Sequence, residues 1–187
     1  MQMASKVVTV DLSYSCDASH MYQQQRHYIS PWLGETAGHF AKRLLTYLSL
    51  YEQQPHFAKD GSGGKSPDIY IEDPQHHLQL WCQLELLPEK RLLRASHLAD
   101  ELLLVLDEAE TDKVRHNVVA NQRIFTLSAE QLAAFSLMLK SHMKLSVWRE
   151  DPQLCITDGE HLVQLNLASL LESRINPMAL LSVAWTV

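Results

Sequence analysis

Pro67 to Glu108 reads PDIYIEDPQHHLQLWCQLELLPEKRLLRASHLADELLLVLDE, and this run points to the fold class. Asp68 to Glu72 and Leu78 to Leu84 are short β-rich pieces joined by the Pro74-Gln75-His76-His77 turn, which predicts two consecutive strands. Pro88 suits the first turn of a helix, where its missing N–H leaves no bond unmade. That helix is expected to reach about Leu98, with Leu92, Leu93, Ser96 and Ala99 inward and Lys90, Arg94 and His97 outward. Glu101 to Glu108, ELLLVLDE, has a continuous apolar centre, the mark of a parallel-type strand buried on both faces. Two strands, a helix and a buried strand in that order predict a mixed sheet with helices packed on it.

On the N-terminal side, Lys6 to Tyr14 alternates from Val8 and reads as a strand, with a second extended piece around His27 to Leu33 as its hairpin partner. Glu35 to Tyr51 places Phe40, Leu44, Leu45, Leu48 and Tyr51 at helical spacing, and leaves Lys42, Arg43 and Ser49 mostly off the stripe. Pro55 to Ser66 is polar and glycine-rich, hence a loop. On the C-terminal side come a short helix (Thr111 to Ala120), a short strand (Arg123 to Thr126) and a helix opened by a Ser128/Gln131 capping box. Its apolar face is Leu132, Phe135, Met138 and Leu139. Leu145 to Arg149, Leu154 to Thr157 and His161 to Leu167 read as a meander turned by Asp151-Pro152 and Asp158-Gly159. The expectation is an α/β (α+β) protein: a mixed β-sheet flanked by helices with an added antiparallel β-meander, one domain over 1–187. No internal repeat is visible.

Composition bounds what such a chain can do. It has 187 residues, enough to bury a core without staples. A net charge of -6 supplies no global attraction to nucleic acid, although a local basic cleft could still provide one. Cys16, Cys82 and Cys155 form no CxxC pair and sit in apolar or strand-like contexts, so they read as buried thiols in a cytoplasmic protein. The N-terminus lacks a secretory pattern, and the apolar run Met178 to Val187 is too short to span a bilayer.

Several motifs bear on chemistry. Gly61 to Ser66, GSGGKS, resembles the end of a phosphate-binding loop, but Lys59 stands where the first glycine belongs and a strand, not a helix, follows. His76 and His77 are adjacent in a turn, and no HxxxH pair falls on a predicted helix, so the ten histidines read as solvated or capping groups. Pro67-Asp68 ahead of a strand ending Gln83-Leu84-Glu85 is more informative. Nucleases of the PD-(D/E)xK type hold an Asp at one strand and an acid and a Lys two residues apart on its neighbour. The carboxylates carry Mg²⁺, and the Lys steadies the developing charge. Residues i and i+2 share a strand face, so Gln83 and Glu85 are expected to project together with Asp68 nearby. Gln83 stands where an acid belongs and Glu85 where the Lys belongs.

The chain resembles the YaeQ family over roughly residues 5 to 167. Glu35-Thr36 with Arg43-Leu44-Leu45 carries the match, as do Phe57-x-Lys59 and Pro67-Asp68. Leu80-Trp81, Leu84, Pro88-Glu89-Lys90-Arg91, Arg94-Ala95, Met143-x-Leu145 and Ile156-x-Asp158-Gly159 continue it. The resemblance implies a restriction-endonuclease-like core and an inherited cleft. It also marks departures. Relatives carry an acid-rich run before Pro67-Asp68, where this chain has Gly63-Gly64-Lys65-Ser66. They carry Glu where Gln83 stands, and a second helical Glu where Gly38 stands. Asp68 and Glu35 are therefore the surviving acids of that cleft.

Two functional expectations follow. The first is a remnant site of Asp68, Gln83, Glu85 and Lys90 that is not an efficient nuclease and binds nucleic acid or a protein partner. The second is a divergent Mg²⁺-dependent phosphodiesterase using Asp68 and Glu85 as metal ligands and a Lys or Arg of the next helix. Glu85 lies about 7 Å along the strand from Gln83, against a metal–oxygen distance of about 2.1 Å, so the whole site would have to shift. Arg43 and Arg94 are candidate phosphate contacts, with a structural ion pair to Glu35 or Glu89 as the competing role and a solvated helix face as the plainer one. The tail, 172–187, is an apolar extension, expected either to dock on its own chain or to make a homodimer contact.

Overall fold

The computed structural model describes residues 6–114 and 119–171. In chain order the first elements are β1 (Val8–Cys16), β2 (Met21–Ile29), α1 (Ala37–Ser49), β3 (His56–Phe57), β4 (Ile69–Glu72) and β5 (Leu78–Gln83). They are followed by α2 (Glu89–Leu98), β6 (Glu101–Leu106), α3 (Glu108–Val114), β7 (Gln122–Thr126) and α4 (Ala129–Leu137). Strands β8 (His142–Glu150), β9 (Gln153–Thr157) and β10 (Leu162–Asn166) and the short α5 (Ala168–Leu171) complete the described chain.

The unit from Pro67 to Glu108 forms as its sequence predicts. Strands β4 and β5 pair antiparallel with Ile69 opposite Cys82, and β5, β6 and β7 run parallel. Leu102 to Leu106 are fully buried, as a strand covered on both faces requires. Helices α2 and α3 cover one face through Trp81, Leu92, Ala95, Leu102 and Leu104. On α2 the inward residues are Leu92, Ala95 and the following Ala99, while Leu93, expected inward, is 50% exposed.

The mixed strands flanked by helices form as expected, arranged as two five-stranded sheets ordered β10-β9-β8-β1-β2 and β3-β4-β5-β6-β7. The meander does not stand alone, because β8 pairs parallel with β1 from Thr9↔His142 to Cys16↔Arg149. Both strands alternate buried and open residues, so each has one apolar face needing the same cover. That cover is a layer made by α1 and α4. One apolar cluster joins Leu12 and Leu145 of the first sheet, Leu44 and Phe135 of the helices, and Ile69, Cys82 and Leu103 of the second sheet.

Being between two sheets changes what α1 exposes. Ala41, Lys42, Arg43, Leu44, Leu45 and Thr46 are buried in succession, and so is Ser49. Lys42, Arg43 and Ser49, expected mostly off the apolar stripe, are buried all the same: a one-stripe helix has one buried face, and α1 has neighbours on both sides. Lys42 meets Glu110 at 3.2 Å, and Ser49 returns its hydroxyl to the Leu45 carbonyl at 2.8 Å.

Smaller differences have local causes. The hairpin partner of β1 begins at Met21, not near His27, and ends before Pro31. Its run of glutamines carries no apolar alternation by which to find it. Helix α3 begins at Glu108, three residues earlier than expected, and the end expected at Ala120 falls beyond Val114, next to residues outside the described range. The Ser128/Gln131 capping box is present in both directions. Cys16, Cys82 and Cys155 are free and buried. No helix among the described residues is long and apolar enough to cross a membrane. The apolar tail, 172–187, lies outside the described residues.

Candidate functional site

A cleft of about 650 Å³ opens between the turn into α1, the loop before β4 and the end of β5. Two walls define it, each built around one buried carboxylate.

The first wall is the turn from Ser30 to Thr36. Gly34 adopts φ 76°, which lets the chain reverse, and the Glu35 amide closes the turn on the Trp32 carbonyl at 3.0 Å. Thr36 then caps α1 by accepting from the His39 amide. The Glu35 carboxylate is buried and fully bonded. Arg43 donates Nε to Oε1 at 2.9 Å and Nη2 to Oε2 at 2.7 Å, and Trp32 donates its backbone N–H at 2.9 Å. Burial pushes the Glu35 carboxyl up, but the His39, Arg43 and Trp32 bonds outweigh it and the net shift is downward. Arg43 also donates to the Ser30 carbonyl and lies over the Trp32 ring at 4.4 Å. Of the roles open to Arg43, the ion pair with Glu35 is the one it occupies.

His39 is the residue that sequence reasoning missed. Its Nδ1 lies 2.7 Å from Glu35 Oε1, so Nδ1 carries the proton. The ring then presents Nε2 on the cleft side, 4.0 Å from Glu85 Oε1. The signal was available as Glu35 and His39 at i,i+4 on one helix, but metal-ligand spacings alone did not expose it.

The second wall is the β4–β5 hairpin. The Asp68 amide donates to Cys82, and its carbonyl accepts from Ala58, so the backbone is fixed on both sides. The antiparallel register sets Asp68 across from Gln83. Gln83 Nε2 donates to Asp68 Oδ2 at 2.5 Å, and the Leu84 amide donates to the same oxygen at 2.9 Å. Gln83 in turn accepts from Trp81 Nε1 at 3.4 Å. Burial raises the Asp68 carboxyl to about 6, with the Leu84 N–H pulling the other way and Glu85 adding to the rise.

Glu35, Asp68, Gln83 and Glu85 thus line one cavity, with Asp60 of the neighbouring loop. Strand β5 ends at Gln83, so Glu85 arrives by the following bend and not by strand alternation; its side chain is 60% exposed. Lys90 and Arg94 lie on α2 and are absent from the lining. Arg91 is the α2 cation that turns toward the cleft loop, where it bonds the Gly63 carbonyl.

The donor set does not fit a tightly held Mg²⁺. That ion asks for a near-octahedral shell of oxygens at about 2.1 Å. Here one Asp68 oxygen already accepts two N–H groups, and an amide occupies the neighbouring place. Among the described residues the one group of three metal-ligand side chains within 4.8 Å of one another is elsewhere, at Asp158, Glu160 and His161. Lys140 already sits 3.6 Å from Asp158 and 3.8 Å from Glu160 there.

The comparisons agree with this architecture. The family model described as YaeQ protein matches residues 1–167. "Uncharacterized protein YaeQ" of Escherichia coli (strain K12) is 23% identical over 142 residues, covering 72% of this chain and 78% of that protein. The protein of the same description from Shigella flexneri matches to the same extent. The crystal structure of YaeQ protein from Pseudomonas syringae superposes with a TM-score of 0.76 at 17% identity, covering 87% of this chain and 93% of that one. That of the YaeQ protein from Xanthomonas axonopodis pv. citri gives 0.71 at 18% identity over 87% and 96%. With the family model spanning both sheets and both walls of the cleft, the chain belongs to the YaeQ family.

Proposed function

We propose that this YaeQ-family protein uses its nuclease-like cleft to bind and not to cleave, and that the occupant carries positive charge, such as a lysine or arginine side chain of a protein partner. The observation that carries this reading is the Gln83 amide seated on Asp68, in a cavity lined by Glu35, Asp60, Asp68 and Glu85 with no Lys or Arg. A phosphodiester approaching that lining meets the open carboxylates of Asp60 and Glu85, while the nearby guanidinium of Arg43 is already taken up by Glu35. A cation meets Asp60 and Glu85 at the mouth and His39 between the walls.

Calorimetry with a Lys/Arg-rich peptide tests the reading, alongside Mg²⁺ and Mn²⁺ titrations and cleavage assays on single- and double-stranded DNA and RNA. The expected result is peptide heat that disappears in Glu85→Gln with Asp60→Asn, together with no metal-dependent cleavage. A Mg²⁺-dependent reading keeps Asp68 and Glu85 as ligands, since both line the same cavity. Tight metal binding and cleavage, both lost in Asp68→Ala, would establish that alternative and overturn the first.

A further inference from the structure

The outward face of the first sheet is a second place where the register gathers chemistry, and it lies apart from the cleft. The cross-strand partners fall in rows. Ser15 pairs with Tyr22 on one side and Trp148 on the other, so a small hydroxyl sits between two aromatic rings. Rows of one face lie about 6.8 Å apart along the strands. In the next row Ser13 lies between Gln24 and Ser146, and beyond it Asp11 lies between Arg26 and Lys144. The first two rows border a concavity of about 530 Å³ with no charged lining.

We infer that this trough binds single-stranded nucleic acid. Tyr22 and Trp148 stand two strands apart, about 9.6 Å between backbones, which leaves room for one flat ring with Ser15 as its floor. Aromatic faces hold bases of any sequence by stacking, and amides and hydroxyls meet their polar edges. Gln24, Ser13 and Ser146 supply that second component. The third row supplies the phosphate contacts. Arg26 is fixed by Asp11 through Nε at 2.5 Å and Nη2 at 3.1 Å, and His142 meets the same carboxylate at 2.8 Å. Lys144 has no ion-pair partner among the described residues, so the row keeps two cations against one carboxylate. Tyr22 is 65% exposed, its hydroxyl held by Asp17 at 2.7 Å, which leaves the ring face open. The charge order, neutral trough then cationic row, matches a base followed by its phosphate. A duplex hides its base faces and does not fit.

Fluorescence anisotropy of labelled single-stranded and duplex oligonucleotides against the full chain, over a salt series, tests the inference. Single strands are expected to bind with a salt slope of about −0.7, from the one positive charge the row keeps beyond the Arg26–Asp11 pair, and duplex of equal length to bind far more weakly. Tyr22→Ala, at an exposed position, should weaken binding roughly 5- to 150-fold. Lys144→Gln should flatten the slope by about 0.7. Equal binding to duplex, indifference to both substitutions, or saturable binding of a neutral oligosaccharide in place of nucleic acid would each overturn it. A cation-binding cleft could survive any of those results, because the two surfaces share no residue.

Discussion

The two walls of the cleft each bury a carboxylate and treat it in opposite ways. Glu35 is met by a guanidinium, an imidazole and a backbone N–H, and its carboxyl is held below the ordinary range. Asp68 is met by an amide and a backbone N–H, both neutral, and its carboxyl rises to about 6. Burial acts on both in the same direction, so the partner decides whether the charge stays. The α1 wall is therefore structural ion pairing, and the hairpin wall is where the proton is negotiable.

Breaking the ion pair has the largest expected effect. Arg43→Ala leaves Glu35 buried without its cation and should cost about 3–5 kcal/mol in chemical denaturation. A loss below about 1 kcal/mol would place Glu35 in reach of water and end the contrast between the walls.

The second effect is a pH dependence. Asp68 holds its proton more tightly folded, near 6, than unfolded, near 3.8. Folding therefore takes up a proton between those values. The stabilisation is complete below pH 4 and is lost as pH rises through 6, by up to about 3 kcal/mol. Measured as the difference between the wild-type protein and Asp68→Asn, the slope should be confined to that window. A flat difference would mean an Asp68 carboxyl of ordinary acidity.

These contrasts were only partly legible in the sequence. The β4–β5–α2–β6 unit was, because Asp68–Glu72, Leu78–Leu84 and ELLLVLDE carry local signals that agree with their final places. The pairing of β1 with β8 was not, because Val8–Cys16 and His142–Glu150 each state which face is buried but not which strand lies alongside. Nor was the burial of Arg43, which comes from the Trp32 and Phe57 rings and the Glu35 carboxylate, all outside its own helix stripe. Asp68 and Gln83 were named together from strand spacing, and the hairpin brought them to 2.5 Å. Glu85 reached the cavity past the strand's end, and Lys90 stayed on α2 outside it.

Gln83→Glu sharpens the comparison further. It sets two carboxyls side by side without a cation, which should raise the Asp68 carboxyl above 6 and give a stronger divalent-ion affinity than the wild-type protein has. Calorimetry with Mn²⁺ on both proteins checks it, and equal heats would contradict it. His39→Ala has the smallest expected effect, about 0.5–1.5 kcal/mol, because Arg43 and the Trp32 amide still hold Glu35. It should also raise the Asp68 carboxyl slightly, since His39 lowers it now.

The most direct test is a carbon-detected NMR titration of the Asp68 carboxyl with and without Mg²⁺. A midpoint near 6 that millimolar Mg²⁺ leaves in place is the predicted result. A midpoint below 4, or one that Mg²⁺ drives sharply down, would show a charged, metal-seeking carboxylate and contradict the account.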